Sequence, residues 1–232
     1  MPRSTTTSGN SAVTRDGSAV EIYRRMPSLG EIEQVQSLLV PNSSVLDLGA
    51  GTGRVADALA SLGHRVTAVD DSPDMLAQIC KARAVAARIE DLRLAETFDA
   101  VLLMSNLVNY PNAQLRRAML ATVAHHLSPT GRAVIQWAPP SLLASRPAGW
   151  TKSLPANGVE VTLTVHSNSG GITTGEFTLA ADGQLWRQSL VLQRVSVATI
   201  RDELMAAGLG LTTAAPDSTR WLQVTSLPAA VR

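Results

Sequence analysis

The sequence predicts an α/β domain. It reads as a doubly wound, mostly parallel, seven-stranded sheet with helices on both faces, plus a small antiparallel β insert before the last helix. Three observations carry this. From residue 19 to residue 138, short apolar runs alternate with segments whose apolar residues recur at helical spacing. One run, TFDAVLLMS, is apolar on both faces, as central parallel strands are. After Pro139-Pro140 the pattern becomes strict apolar–polar alternation broken by turn residues, which is the signature of hairpins. A chain of 232 residues fits one such domain over residues 19–232, with residues 1–18, rich in Ser, Thr and Gly, expected to form a flexible tail.

Taken in order, AVEIYRRM and GEIEQVQSLLV are helical, the second carrying Ile32, Val35, Leu38 and Leu39 on one face and stopping at Pro41. SSVLDLG is the first sheet strand and RVADALASLG the helix behind it, ended by Gly63. HRVTAVD is the second strand. SPDMLAQICKARA is expected as a helix with Ser72 at its N-cap and Pro73 at its first position. VAARI supplies a weak third strand, TFDAVLLMS the fourth and GRAVIQWA the fifth, with NAQLRRAMLATVAHHL as a helix between the last two. Residues 141–157 read as a loop or lid. The insert, about 159–195, is three antiparallel strands, VEVTLTVH, ITTGEFTLA and QLWRQSLVLQRV. VATIRDELMAAGLG is the last helix, and GLTTAA and RWLQVTSL complete the sheet.

The chemistry concentrates in VLDLGAGTGR and VTAVDDSPDML. Glycines 49, 51 and 53 follow the first strand and open a helix, where backbone N–H groups face a ligand at the carboxyl edge of the sheet. The spacing is G-x-G-x-G. A dinucleotide fingerprint would need its third glycine at Arg54, and a phosphate-binding P-loop would need a Gly-Lys-Ser/Thr end, so neither phosphate reading fits. Asp47, on the strand before the loop, would repel a pyrophosphate and attract a cation. Asp70, 17 residues after Gly53, stands where a carboxylate accepts from a ribose diol. A ribose, no phosphate and a cationic amino-acid end describe S-adenosylmethionine.

These two segments together resemble the first two motifs of the class I S-adenosylmethionine-dependent methyltransferase superfamily, whose Rossmann-like fold matches the order of elements through residue 138. The resemblance implies that Asp47, Gly49, Gly51 and Gly53 hold the amino-acid part of the cofactor and Asp70 the ribose, with Asp71 and Met75 along the ribose and adenine. The family's next contact is an acid followed by an apolar residue. Arg88 stands at the acid position in ARIEDL, which leaves Ile89 and Glu90 as the adenine contacts. The segment after strand four, MSNLVNY, resembles one that borders the methionine part and the acceptor. Met104 and Ser105 are assigned to the cofactor, and Asn106, Asn109 and Tyr110 to the substrate. Tyr23 resembles an N-terminal tyrosine that closes over the cofactor, and Trp137 and Trp150 are the aromatic candidates for the acceptor pocket. His166 is the candidate general base, if its strand overhangs the carboxyl edge.

Other residues read as structural: Asp99 at the start of strand four, His125 and His126 at a helix end, and Cys80 as a small buried hydrophobe. Net charge is +1 with no basic block, so no nucleic-acid partner is expected, and the single cysteine excludes an internal disulfide. With carboxylates absent from the ends of strands four and five, no metal is expected. No apolar leader or membrane-length run is present, which predicts a cytoplasmic chain without a membrane partner, a monomer or homodimer. The expected activity is methyl transfer to a small organic acceptor, by analogy one of specialised metabolism. The same residues leave open a cyclase or decarboxylase on this fold, a cofactor-binding module without catalysis, and a nicotinamide oxidoreductase.

Overall fold

A computed structural model describes residues 5–7, 14, 18–156 and 158–228. In chain order its regular elements are β1 (Thr5–Thr7), α1 (Val20–Arg25), α2 (Glu31–Gln36), β2 (Ser44–Leu48), α3 (Arg54–Ser61), β3 (Arg65–Asp70), α4 (Pro73–Leu76) and β4 (Arg83–Ala86). Then follow β5 (Phe98–Leu103), α5 (Ala113–His126), β6 (Leu127–Gln136), α6 (Pro140–Ala144), β7 (Thr151–Ala156), β8 (Val159–Ser169), β9 (Ile172–Ala181) and β10 (Gln184–Gln193). The chain closes with α7 (Val197–Ala206), β11 (Leu209–Leu211) and β12 (Trp221–Ser226).

The predicted seven-stranded sheet is present, in the order β11-β12-β6-β5-β2-β3-β4. Strands β6, β5, β2, β3 and β4 run parallel, whereas β12 pairs antiparallel with β6 and with β11. The order departs from β2 in both directions, so the switch point lies between β2 and β5, where ligands of such sheets sit outside the strand ends. Two apolar layers cover it. Val35, Val55 and Leu59 from α2 and α3 pack on one face, while Met119, Leu120 and Val123 from α5 and Ile200 and Leu204 from α7 pack on the other.

The second sheet departs from expectation. It has five strands, ordered β1-β10-β9-β8-β7. Residues 141–157 are not a plain loop: they hold α6 and the edge strand β7, which pairs with β8 along its length. The sequence TKSLPA conceals a strand because its side chains are suited to an exposed edge, with Lys152 and Pro155 blocking further pairing. At the opposite edge, Thr5–Thr7 of the predicted tail pair with Trp186–Gln188. Most of the remaining tail lies outside the described residues.

The helix expected from Ser72 onward stops at Leu76, although Ser72 caps it as predicted, accepting from the Met75 N–H at 3.3 Å. Its continuation is captured by Asp57 of α3, whose carboxylate accepts from the N–H groups of Cys80, Lys81 and Ala82 at 2.8–2.9 Å. Cys80 is therefore exposed on a loop rather than buried in a helix. The third strand likewise shifts to Arg83–Ala86.

Candidate functional site

A cavity of about 290 Å³ opens at the carboxyl edge over the switch point. β2 delivers Asp47 to its floor and then turns through the glycine loop. The N–H groups of Gly49 and Ala50 both donate to the Val69 carbonyl, at 2.8 and 2.9 Å, which folds the loop back over β3. Gly51 has φ +57°, a left-handed conformation that disfavours any side chain, and only Met75 Sδ, at 4.0 Å, comes near an added Cβ. Its bare backbone lines the cavity. Gly53 does not line it. A Cβ there would lie 2.8 Å from Ile79 Cγ1, so this glycine serves the packing of α3 against the segment after α4, a correction to its expected ligand role.

Two carboxylates define the electrostatics. Asp47 is 2% exposed and, among the described residues, its Oδ1 has no hydrogen-bond partner. Burial pushes its pKa up to about 7, with nearby Asp70 adding to the rise and the Arg54 charge opposing it. A buried acceptor without a partner is rare and marks a place where something else bonds. Asp70, at the end of β3, accepts from the Gly51 N–H at 2.8 Å through one oxygen and from the Ser72 N–H at 3.0 Å through the other. It clamps the loop as well as facing the cavity.

Asp71, Met75, Ile89, Glu90, Met104, Ser105, Tyr110 and Tyr23 also line the cavity, together with Gly49. Arg88 lines it too, and its guanidinium is paired with Glu90 and lies 3.7 Å from Asp91. Tyr23 is held from the second sheet by Gln188 Nε2, which donates to its hydroxyl at 2.9 Å.

Five expected residues stand elsewhere. His166 is exposed on β8 beside a register shift and is not among the residues lining the cavity. Asn109 is fully buried: its amide donates to the carbonyls of Ala138 and Gln193 at 2.9 and 3.1 Å and accepts from the Ala138 N–H at 2.7 Å, tying β10 to the sheet. Trp137 is 0% exposed, with its indole N–H donating to the Thr219 carbonyl at 2.8 Å. Trp150 stacks under Arg146, the guanidinium carbon 4.4 Å from its ring centre, away from the cavity. Asn106, half-buried, also lies outside the lining.

Asp99 and His126, read as structural, are both engaged within the fold. Asp99 accepts from the N–H and hydroxyl of Ser44 at 2.8 and 2.7 Å, which hold its carboxyl below its usual range. His126 lies buried between the Thr122 carbonyl and the Leu94 N–H, at 2.8 and 2.9 Å.

Reasoning from sequence missed Gln136, at the end of β6. It lines the cavity and its Oε1 accepts from the Ser105 N–H at 2.8 Å. That bond braces a corner in which Ser105 and Asn106, neither a glycine, are both left-handed at φ 58° and 56°. Such corners cost energy and persist where the surroundings hold them. Nothing in the local pattern of GRAVIQWA marks Gln136, since its partner is 31 residues away.

Residues 45–131 match the family described as a methyltransferase domain. A cypemycin N-terminal methyltransferase from a Streptomyces species is 34% identical over 139 residues, covering 54% of this chain and 57% of that protein. The chain thus spans about half the length of this curated relative. Among solved structures, that of DesVI from Streptomyces venezuelae superposes with a TM-score of 0.69 at 26% identity, covering 86% of this chain and 91% of the other. That of the sugar N-methyltransferase KedS8 from a Streptoalloteichus species gives a TM-score of 0.70 at 21% identity, over 95% and 98% of the two chains. The chain shares its fold with solved structures described as S-adenosylmethionine-dependent methyltransferases. Among the described residues no group of three or more His, Cys, Asp or Glu is arranged to hold a metal, and no helix is long and apolar enough to cross a membrane.

Proposed function

We propose that the protein transfers a methyl group from S-adenosylmethionine to a small organic acceptor. The observation that carries this is the unpartnered, buried Asp47 oxygen beside a bare glycine loop, with Asp70 at the neighbouring strand end. An ammonium group satisfies the first and a ribose diol the second, so the residues present fit this cofactor. When bound, it supplies an electrophilic sulfonium methyl.

The remaining work falls to the chain. Asp47 and the loop backbone hold the amino-acid end, Asp70 and Asp71 the diol, and Met75, Ile89 and Glu90 the adenine. Met104 and the braced Ser105 corner define the side toward the acceptor, where Tyr110 and the free amide N–H groups of Gln136 orient the incoming atom. Tyr23, with Thr14 and Ser18 from the N-terminal segment, closes the cavity against water. No histidine lines the cavity among the described residues, which favours an acceptor that arrives as a free base, such as an amine. The N-methylating relatives support the same choice.

Calorimetric titration with S-adenosylhomocysteine tests the reading: saturable binding at micromolar affinity is expected, with no response to nicotinamide dinucleotides. Absence of binding by the folded protein would overturn it.

A further inference from the structure

The amino-acid end of the proposed cofactor carries an ammonium and a carboxylate, and Asp47 answers only the first. The glycine loop is a poor source of donors for the second. The N–H groups of Gly49 and Ala50 are both spent on the Val69 carbonyl, that of Gly51 on Asp70 at 2.8 Å and that of Gly53 on the Ala50 carbonyl at 3.1 Å. Asp47 itself, ionised, repels a carboxylate. A carboxylate at this end of the cavity therefore needs a cationic side chain close to the loop.

Among the described residues, the basic side chains lining the cavity are Arg54 and Arg88. Arg88 engages Glu90 and Asp91, beyond β4. Arg54 stands directly after the loop, as the first residue of α3, and its side chain is only partly exposed. Its Nη1 donates to Glu31 Oε1, and that buried carboxylate is itself fixed, its other oxygen accepting from the Leu29 N–H at 2.6 Å. The Nε and Nη2 groups of Arg54 make no hydrogen bond or ion pair among the described residues. These two nitrogens share one edge of the guanidinium, the edge that meets both oxygens of a carboxylate. An arginine pinned at Nη1 and open along that edge has given up part of its rotamer freedom before any ligand arrives, which lowers the cost of the grip. A carboxylate held there also lies at the N-terminal end of α3, where the helix dipole favours negative charge.

We propose that Arg54 grips the carboxylate of the methionine moiety through its Nε–Nη2 edge, and thereby selects the intact cofactor over adenosyl thioethers that lack a carboxylate. The amino-acid end is then met by both signs of charge, Asp47 at its ammonium and Arg54 at its carboxylate, on either side of the glycine loop. Glu31 lies outside the cavity lining and holds the arginine from behind. The inference rests on the proposed methyl donor for the identity of the ligand, and its test separates the two.

The test is calorimetric titration of the wild-type protein, R54Q and R54K with three ligands. These are S-adenosylhomocysteine, its decarboxylated analogue, which keeps the amine, and 5′-methylthioadenosine, which lacks the whole amino-acid end. The wild type should bind S-adenosylhomocysteine about tenfold or more tightly than the decarboxylated analogue, a preference read without any variant. In R54Q, affinity for S-adenosylhomocysteine should fall about tenfold or more, while that for the two carboxylate-free ligands falls by no more than about twofold. R54K keeps the charge but loses the fork, and should lie between wild type and R54Q. Equal affinity of the wild type for S-adenosylhomocysteine and the decarboxylated analogue overturns the proposal and leaves the methyl-donor reading standing. So does a loss in R54Q that is the same for all three ligands, which is the mark of a purely structural pair with Glu31. Failure of all three to bind the folded wild-type protein overturns the methyl-donor reading and the proposal with it.

Discussion

The two sheets approach the cavity on different terms. The parallel sheet reaches it with consecutive strand ends, so Asp47, the glycine loop, Asp70 and Ser105 are each set by their own strand and lie close to it in sequence. The antiparallel sheet reaches it indirectly. It sends Gln188 to hold Tyr23, and through Asn109 it is tied to the end of β6. One sheet supplies ligand contacts, and the other supplies supports for contacts carried elsewhere.

That division predicts a gradient of mutational effects. The largest belongs to Asp47→Asn, which leaves a bound ammonium facing a neutral group and should weaken S-adenosylhomocysteine binding by about 2–4 kcal/mol in calorimetry. The same substitution should not destabilise the ligand-free protein, because a carboxyl that is costly to ionise is removed. The raised pKa of Asp47, about 7, fixes the pH behaviour. Between its ordinary value and about 7 the folded state binds more protons than the unfolded one, so the group's contribution to stability is full below the ordinary carboxylate range and is lost as pH rises toward 7. Ligand affinity runs the other way, rising from pH 5 to 8 as the carboxylate ionises. A pH-independent affinity would show that Asp47 does not meet the ammonium.

Asp70→Ala comes next, with a loss of about 1–3 kcal/mol in cofactor affinity as the ligand hydroxyls and the Gly51 N–H are orphaned together. Trp137→Phe, in the supporting layer, should lower thermal stability by about 1 kcal/mol through the lost bond to Thr219 and leave cofactor affinity alone. An equal fall in affinity would mean that the support reaches the site. The smallest effect is that of His166→Ala, which should leave the methylation rate unchanged at every pH, since this side chain is exposed and outside the cavity.

The same contrast explains what the sequence disclosed. β2, β3 and β5 are buried apolar strands with turn chemistry at their ends, so local pattern points to Asp47 and Asp70, while Met104 came from the family resemblance. α4 failed because Asp57, some 25 residues earlier, withdraws the N–H groups that would have continued it. Trp137 and Asn109 were read as pocket residues because an aromatic or amide after a strand suits a ligand equally well. What decides against that role is the Thr219 carbonyl for one and the Ala138 and Gln193 backbone for the other, contacts that cross 82 and 84 residues at their longest. Gln136 stayed hidden for the same reason. β7 was obscured by the polar composition that suits an edge, and His166, assigned on an assumed overhang, is exposed and outside the cavity lining.

The pairing of Thr5–Thr7 with Trp186–Gln188 has a consequence for biosynthesis. β1 cannot find its partner until some 180 further residues have been made, so this edge of the insert closes after the parallel strands β2 to β6 have had time to form. Thr14 and Ser18, which lie between that strand and α1 in the chain, contribute to the cavity wall. An affinity tag or fusion partner at the amino end would burden this closing step directly, whereas one at the carboxyl end would leave it free.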